Sequence, residues 1–310
     1  MRARMVLLGA SIFLFIALAA FLRKVNPAEL LEIPPCFRIG GDLHHYFEPN
    51  CQGTSPISGI KYAINEDGLR ERERKKLGLG AVMVLGDSFV EGKGIEFSAT
   101  LSQVLERKLK KTVINAGVRS RGPVLESLEL KRLSQIYKPS LVIWVLNEND
   151  VFDDKFAYSL KRSVDQNAVP LTLSIEDFES VSWLSDLRAK LGSLGVIFDF
   201  PLYFAYRRSV EKLVLRENTG FTVCGGVQRG IEIARKQKTP LFFVLTPLGP
   251  NSATKGMDFA TILPCLAGET VLDLREALNQ KEFFLQGDTH LNPHGVEQMA
   301  ELLRQAISVK

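Results

Sequence analysis

A serine hydroxyl becomes a nucleophile when an imidazole takes its proton and a carboxylate orients that imidazole, and this chain carries residues for all three roles far apart in sequence. The apolar run Val82-Met83-Val84-Leu85 leads directly into Gly86-Asp87-Ser88, which places the Ser88 hydroxyl at the carboxyl end of an expected strand. Open α/β sheets bind ligands at that edge. A serine at a strand end can equally cap the helix that follows. The other half lies in Gly287-Asp288-Thr289-His290-Leu291-Asn292-Pro293-His294-Gly295. Proline suits the first turn of a helix, so Asp288 and His290 fall before that helix, in extended or loop backbone. In extended backbone, residues two apart project to one side. The Asp288 carboxylate can then accept from one ring nitrogen of His290 and leave the other facing a nucleophile. A capping Asp and a surface His are the alternative reading. His294, inside the start of the helix, reads as structural.

Other chemistries are poorly matched. Gly86-Asp87-Ser88-Phe89-Val90 lacks the second glycine of a Gly-x-Ser-x-Gly elbow. Gly92-Lys93-Gly94 has neither the spacing nor the following Lys-Ser/Thr of a phosphate loop, and no Gly-x-Gly-x-x-Gly follows a strand. Asp150, Asp153 and Asp154 suggest a cation, but no further residue is spaced to complete a site, and such clusters commonly mark a polar loop. The pair His44-His45 has no supporting ligands. No metal and no cofactor are expected.

The elements that must position these residues alternate. Short apolar runs at Ala81–Leu85, Thr112–Asn115, Leu141–Leu146, Leu241–Leu245 and Thr270–Leu272 read as strands covered on both faces. Between them, Thr100–Lys110, Val124–Tyr137 and Val227–Lys238 have apolar residues three and four apart, and a last helix begins at Asn292-Pro293 and lays Val296, Met299, Ala300, Leu303 and Ile307 along one face. This is the pattern of a three-layer α/β domain with a parallel sheet. We divide the chain into an N-terminal segment (1–24), an irregular lead-in rich in proline and glycine (25–80), and the main domain (81–310). A stretch at about 151–221, with Trp183, Tyr203 and Tyr206, is too long for an ordinary connection and reads as an insertion beside the site or as packed decoration.

Met5–Leu22 is a run of 18 residues without a charge, flanked by Arg2 and Arg4 before it and Arg23 and Lys24 after it. As a helix it would cross about 27 Å, which predicts an uncleaved transmembrane anchor. A signal peptide competes, because Ala17-Leu18-Ala19 has the small-x-small pattern of a cleavage site. Either reading exports the main domain. Cys36, Cys51, Cys224 and Cys265 agree with export, since an even set can be fully paired outside the cytosol. The expected pairs are Cys36 with Cys51, closing a short loop, and Cys224 with Cys265; four reduced cysteines are the alternative. The net charge of +4 is spread thinly over mixed runs such as Arg70–Lys76, which gives no footprint for nucleic acid.

Taken in order along the chain, four blocks resemble the SGNH/GDSL hydrolase superfamily across roughly residues 65 to 305. Gly86-Asp87-Ser88 resembles the nucleophile block. Asn115-Ala116-Gly117-Val118 resembles the second, whose glycine lends a backbone N–H to the oxyanion hole. Asn147-Glu148-Asn149-Asp150 resembles the third, with Asn147 where the pattern has glycine, so Asn149 matches the oxyanion-hole side chain. Asp288-Thr289-His290 resembles the last block in the shortened spacing of some bacterial members, and Asn65–Arg70 resembles the segment preceding the core in membrane-anchored ones. The resemblance implies a flavodoxin-like fold with a five-stranded parallel sheet, a Ser88, His290 and Asp288 triad, and an oxyanion hole of Ser88, Gly117 and Asn149. It also implies an extracytoplasmic, membrane-tethered esterase acting on small acyl groups, acetate above all, of a glycan. A glycan O-acetyltransferase fed by a separate acyl-supplying membrane partner, or a catalytically silent glycan-binding or assembly protein, would keep the same blocks.

Overall fold

The computed structural model of the chain describes residues 36–39, 45–55, 58–150, 153, 223–249, 259 and 262–308. The apolar run at 5–22, the Ala17-Leu18-Ala19 site, His44, Asp154 and the insertion at 151–221 apart from Asp153 lie outside the described residues. Among the described residues no helix is long and apolar enough to cross a membrane.

The lead-in is less irregular than its composition suggests. Strands β1 (Phe37–Ile39) and β2 (His45–Phe47) pair antiparallel, as do β3 (Gln52–Thr54) and β4 (Lys61–Ala63). Three-residue strands carry too little periodicity to be seen in a sequence, and tertiary packing stabilises them: Phe47, Tyr62 and Ile64 are buried with Val118 of the main domain. The Cys36–Cys51 disulfide closes this unit, and Cys224 pairs with Cys265. Helix α1 (Arg74–Leu77) then leads into the main sheet.

That sheet has five parallel strands, β5 (Val82–Gly86), β6 (Val113–Gly117), β7 (Leu141–Asn147), β8 (Leu241–Thr246) and β9 (Val271–Asp273), in the spatial order β6-β5-β7-β8-β9. Every residue of β5 and β6 is buried, as both-face coverage requires. Between the strands run α2 (Ser88–Glu91), α3 (Leu101–Leu109), α4 (Pro123–Tyr137) and α5 (Val223–Gln237), and α6 (Pro293–Ser308) follows the last strand. Alternation along the strands separates two cores. Met83, Leu85 and Trp144 pack with Leu130, Leu133, Val227 and Ile231 of α4 and α5. Val82, Val84 and Val145 pack with Leu101, Leu105, Val296 and Leu303 of α3 and α6. The result is three layers.

The chain enters at β5, steps to β6 on one side and then crosses to β7 on the other, so the order reverses between β5 and β7. Connections diverge at such a point and leave a crevice at the strands' carboxyl ends. The register sets Gly86 beside Gly117, and Asn147 beside Thr246, along that edge.

Candidate active site

Ser88 sits in that crevice, and its neighbour Asp87 removes the capping alternative. Asp87 is the N-cap of α2: its Oδ1 accepts from the Phe89 N–H at 2.9 Å. Ser88 therefore occupies the first helical position with its side chain free of capping duty. Its backbone N–H is one of the orphan donors of a helix start, with no acceptor inside the helix. Ser88 is 7 % exposed, and its hydroxyl points at the loop preceding α6.

In that loop, Asp288 and His290 meet through a turn and not through strand alternation. Asp288 Oδ1 accepts from the backbone N–H groups of Thr289 at 2.6 Å and His290 at 3.0 Å, which folds the segment back on its carboxylate. Two backbone bonds hold the loop, a local one from Leu285 N–H to the His290 carbonyl at 2.9 Å and a long-range one from Gly249 N–H, just after β8, to the Thr289 carbonyl at 3.0 Å. Asn292 caps α6 as expected, accepting from Gly295 N–H at 2.9 Å.

The result is a relay. His290 Nδ1 lies 2.5 Å from Asp288 Oδ1, and Nε2 lies 2.7 Å from Ser88 Oγ, across 202 residues of sequence. An ionised carboxylate only accepts, so Nδ1 carries the hydrogen and Nε2 is left to accept from the Ser88 hydroxyl. Asp288 is held ionised: burial works against its charge, but the hydrogen bonds from the His290 ring and backbone and the Lys93 ammonium outweigh burial and keep the carboxyl far below the usual range. The Phe89 ring packs against the imidazole with centroids 4.9 Å apart. Ser88 Oγ also lies 3.3 Å from Asp87 Oδ2, but the shorter contact to Nε2 takes its single proton.

The expected oxyanion hole is only partly present in this arrangement. Gly117 was expected to offer its N–H, yet that group donates to Asn115 Oδ1 at 3.0 Å. The reason is local: an asparagine two residues upstream presents its amide oxygen to the strand end and captures the donor. Gly117 has a steric role instead, since a Cβ there would come within 2.2 Å of the Glu91 nitrogen in α2. The Asn149 amide likewise donates to Asp87 Oδ2 at 3.1 Å and Asp153 Oδ2 at 2.8 Å. Of the three proposed donors, the Ser88 N–H alone is left without a competing acceptor among the described residues.

No protein-family model and no curated protein matches the chain. Among solved structures it is similar to a member of the lipolytic G-D-S-L family from Veillonella parvula, at 11% identity over 73% of this chain and 97% of that one, with a TM-score of 0.42. It is also similar to a psychrotrophic esterase from Pseudoalteromonas, at 10% identity over 73% and 98% of the two chains, with a TM-score of 0.43. A GDSL-like lipase from Bacteroides thetaiotaomicron matches at 11% identity over 76% and 89%, with a TM-score of 0.42.

Asp87 also ties the nucleophile turn to an acidic cluster that spacing alone did not indicate. One carboxylate oxygen each from Asp87, Asp150 and Asp153 lies within 4.8 Å of the others. The third member, Asp87, directly follows β5, and the β5–β7 pairing brings it close. Asn147 and Asn149 both donate into Asp87, which explains the asparagine in place of the expected glycine at 147: its Nδ2 reaches Asp87 Oδ1 at 2.7 Å. Burial pushes the Asp87 carboxyl up, and burial followed by the charges of Glu126 and Asp87 pushes Asp150 well above the usual carboxylate range. A carboxyl whose folded value is raised stabilises the fold fully below the ordinary range near about pH 4, and loses that contribution as the pH rises toward its folded value. Asp150→Asn keeps the acceptor for the Asn147 N–H, now bound at 2.9 Å, and removes the ionisation. The variant melts about 2–4 °C higher at pH 8 and close to wild type at pH 4, read by differential scanning calorimetry. A lower melting temperature at both values would contradict the protonated state.

Proposed function

We propose that this chain is a serine hydrolase of the SGNH/GDSL type that cleaves small acyl esters. The observation that carries the reading is the continuous Ser88–His290–Asp288 relay, with heavy-atom contacts of 2.7 and 2.5 Å. Ser88 Oγ attacks the ester carbonyl carbon while Nε2 of His290 takes the hydroxyl proton. The carbonyl oxygen becomes an oxyanion beside the Ser88 N–H. Asn149 joins it by giving up one of its two carboxylate acceptors, so its contribution is realised only as the charge develops. Collapse breaks the bond to the leaving alcohol, which receives the proton from Nε2. A water then attacks the acyl-enzyme with His290 as base, and the acid and Ser88 are released.

The substrate we favour is an acetylated glycan outside the cytoplasm, with the chain tethered by its N-terminal apolar run. Support comes from the uncharged stretch Met5–Leu22, the two cysteine pairs and the resemblance of the four sequence blocks. The test supplies the full-length protein with an acetylated oligosaccharide, alone and with excess unacetylated oligosaccharide, and follows the acetyl group by mass spectrometry. Free acetate accumulates in both mixtures. Acetyl appearing on the added sugar instead would make the chain a transferase, and failure of Ser88 to react with a fluorophosphonate would leave a binding role.

A further inference from the structure

We propose that Lys93 is a positioning residue for the Asp288–His290 pair, delivered by the Gly92-Lys93-Gly94 turn and clamped from behind by Arg70. The inference rests on the hydrolase reading for its kinetic consequence, but not for its geometry.

The two oxygens of Asp288 are unequally served. Oδ1 accepts from the Thr289 N–H, the His290 N–H and His290 Nδ1. Among the described residues Oδ2 accepts from one group, the Lys93 ammonium at 3.4 Å. Lys93 is 7 % exposed, so a costly buried cation is spent on this one carboxylate oxygen. Without it, a buried carboxylate oxygen would have no donor, and rotation of the carboxyl toward other donors would withdraw Oδ1 from the imidazole.

The turn that presents Lys93 is unusual in its backbone. Gly92 and Gly94 have φ of +81° and +76°, a region that side-chain-bearing residues rarely adopt, and together they reverse the chain immediately after α2. The Gly92 and Lys93 N–H groups both donate to the Ser88 carbonyl at 3.1 Å, which ties the turn to the nucleophile's own backbone. A Cβ at Gly94 would meet Leu285 Cδ1 at 2.6 Å, so the turn also lies against the loop that carries His290.

The lead-in fixes this turn in place. The Arg70 guanidinium donates to the carbonyls of Gly92 at 2.7 Å, Glu91 at 3.2 Å and Ile95 at 2.9 Å, and it lies over the Tyr62 ring at 4.2 Å. Arg70 is buried, and a planar fork of donors suits three converging carbonyls in a way that a lysine would not. A continuous set of contacts thus runs from the lead-in through the turn and Lys93 to Asp288, His290 and Ser88.

The test compares full-length wild type, Lys93→Met and Lys93→Arg by two readouts. In proton NMR, the low-field resonance of the His290 Nδ1–H held by Asp288 is sharp in wild type, broadened or lost in Lys93→Met, and recovered in Lys93→Arg. With p-nitrophenyl acetate, Lys93→Met loses about 100-fold in kcat with KM changed less than about twofold, as a small misplacement of a catalytic pair would give, and Lys93→Arg recovers most of the loss. Circular dichroism establishes that each variant is folded, and Lys93→Gln is read in place of Lys93→Met if the latter is not. A Lys93→Met resonance identical to wild type, or a kcat loss that Lys93→Arg fails to recover while the resonance is kept, overturns the proposal. If wild type neither hydrolyses the ester nor labels at Ser88, the hydrolase reading fails, and the NMR comparison still decides the role of Lys93.

Discussion

Ser88→Ala loses fluorophosphonate labelling and falls in kcat toward p-nitrophenyl acetate by on the order of 10⁵- to 10⁶-fold, the usual scale for removing a serine nucleophile. The loss is chemical and not structural, because the helix cap rests on Asp87 and α2 keeps the bond from Phe89 N–H to that carboxylate. Circular dichroism and melting temperature therefore stay near wild type, and this combination separates a missing nucleophile from a damaged fold. His290→Ala gives a loss of the same order, and the double variant is little worse than either single one, since residues acting as one unit are strongly non-additive. Labelling that survives both substitutions would remove Ser88 from the reaction.

Asp288→Asn lowers kcat by roughly 10³- to 10⁴-fold, and the surroundings of the carboxylate explain why an isosteric change is so costly. An amide has one acceptor atom, and it must choose between two demanding positions. At Oδ1 it would place its NH₂ against three N–H donors, and at Oδ2 against the Lys93 ammonium. The second is the lesser conflict, so the variant keeps an oxygen toward His290 but forfeits both the Lys93 pair and the negative charge that stabilises the imidazolium. Its pH profile and its kcat, with KM little changed, would show this in steady-state kinetics on p-nitrophenyl acetate. Full activity in Asp288→Asn would leave Ser88 and His290 acting as a dyad.

Much of the scaffold is legible because burial on both faces leaves a strong local mark. The five apolar runs end within two residues of the observed strands, and three of the observed strands extend to the residues that close the sheet edge, Gly86, Gly117 and Asn147. The partners of Ser88 and the two cysteine pairs are brought together as their types and order suggested. What escaped the sequence is which atom bonds which. The capture of the Gly117 N–H by Asn115, the service of Asn149 to two carboxylates and the joining of Asp87 to Asp150 are choices made over about 1 Å by tertiary packing, and no periodicity encodes them. Gly92-Lys93-Gly94 was legible only as a phosphate loop that failed its own pattern. Its positive-φ glycines could have signalled a sharp turn, but where the lysine would point depended on a loop nearly two hundred residues away.

The reach of Arg70 across the boundary between lead-in and sheet also bears on what the smallest working unit of this protein is. By strand count the α/β layers begin at Val82, and a fragment trimmed there would contain Ser88, Lys93, Asp288 and His290. It would nevertheless leave the carbonyls of Glu91, Gly92 and Ile95 without their shared donor. The segment ahead of the sheet that carries Tyr62 and Arg70 is thus the keel of the active edge, and a fragment designed to retain activity has to include both.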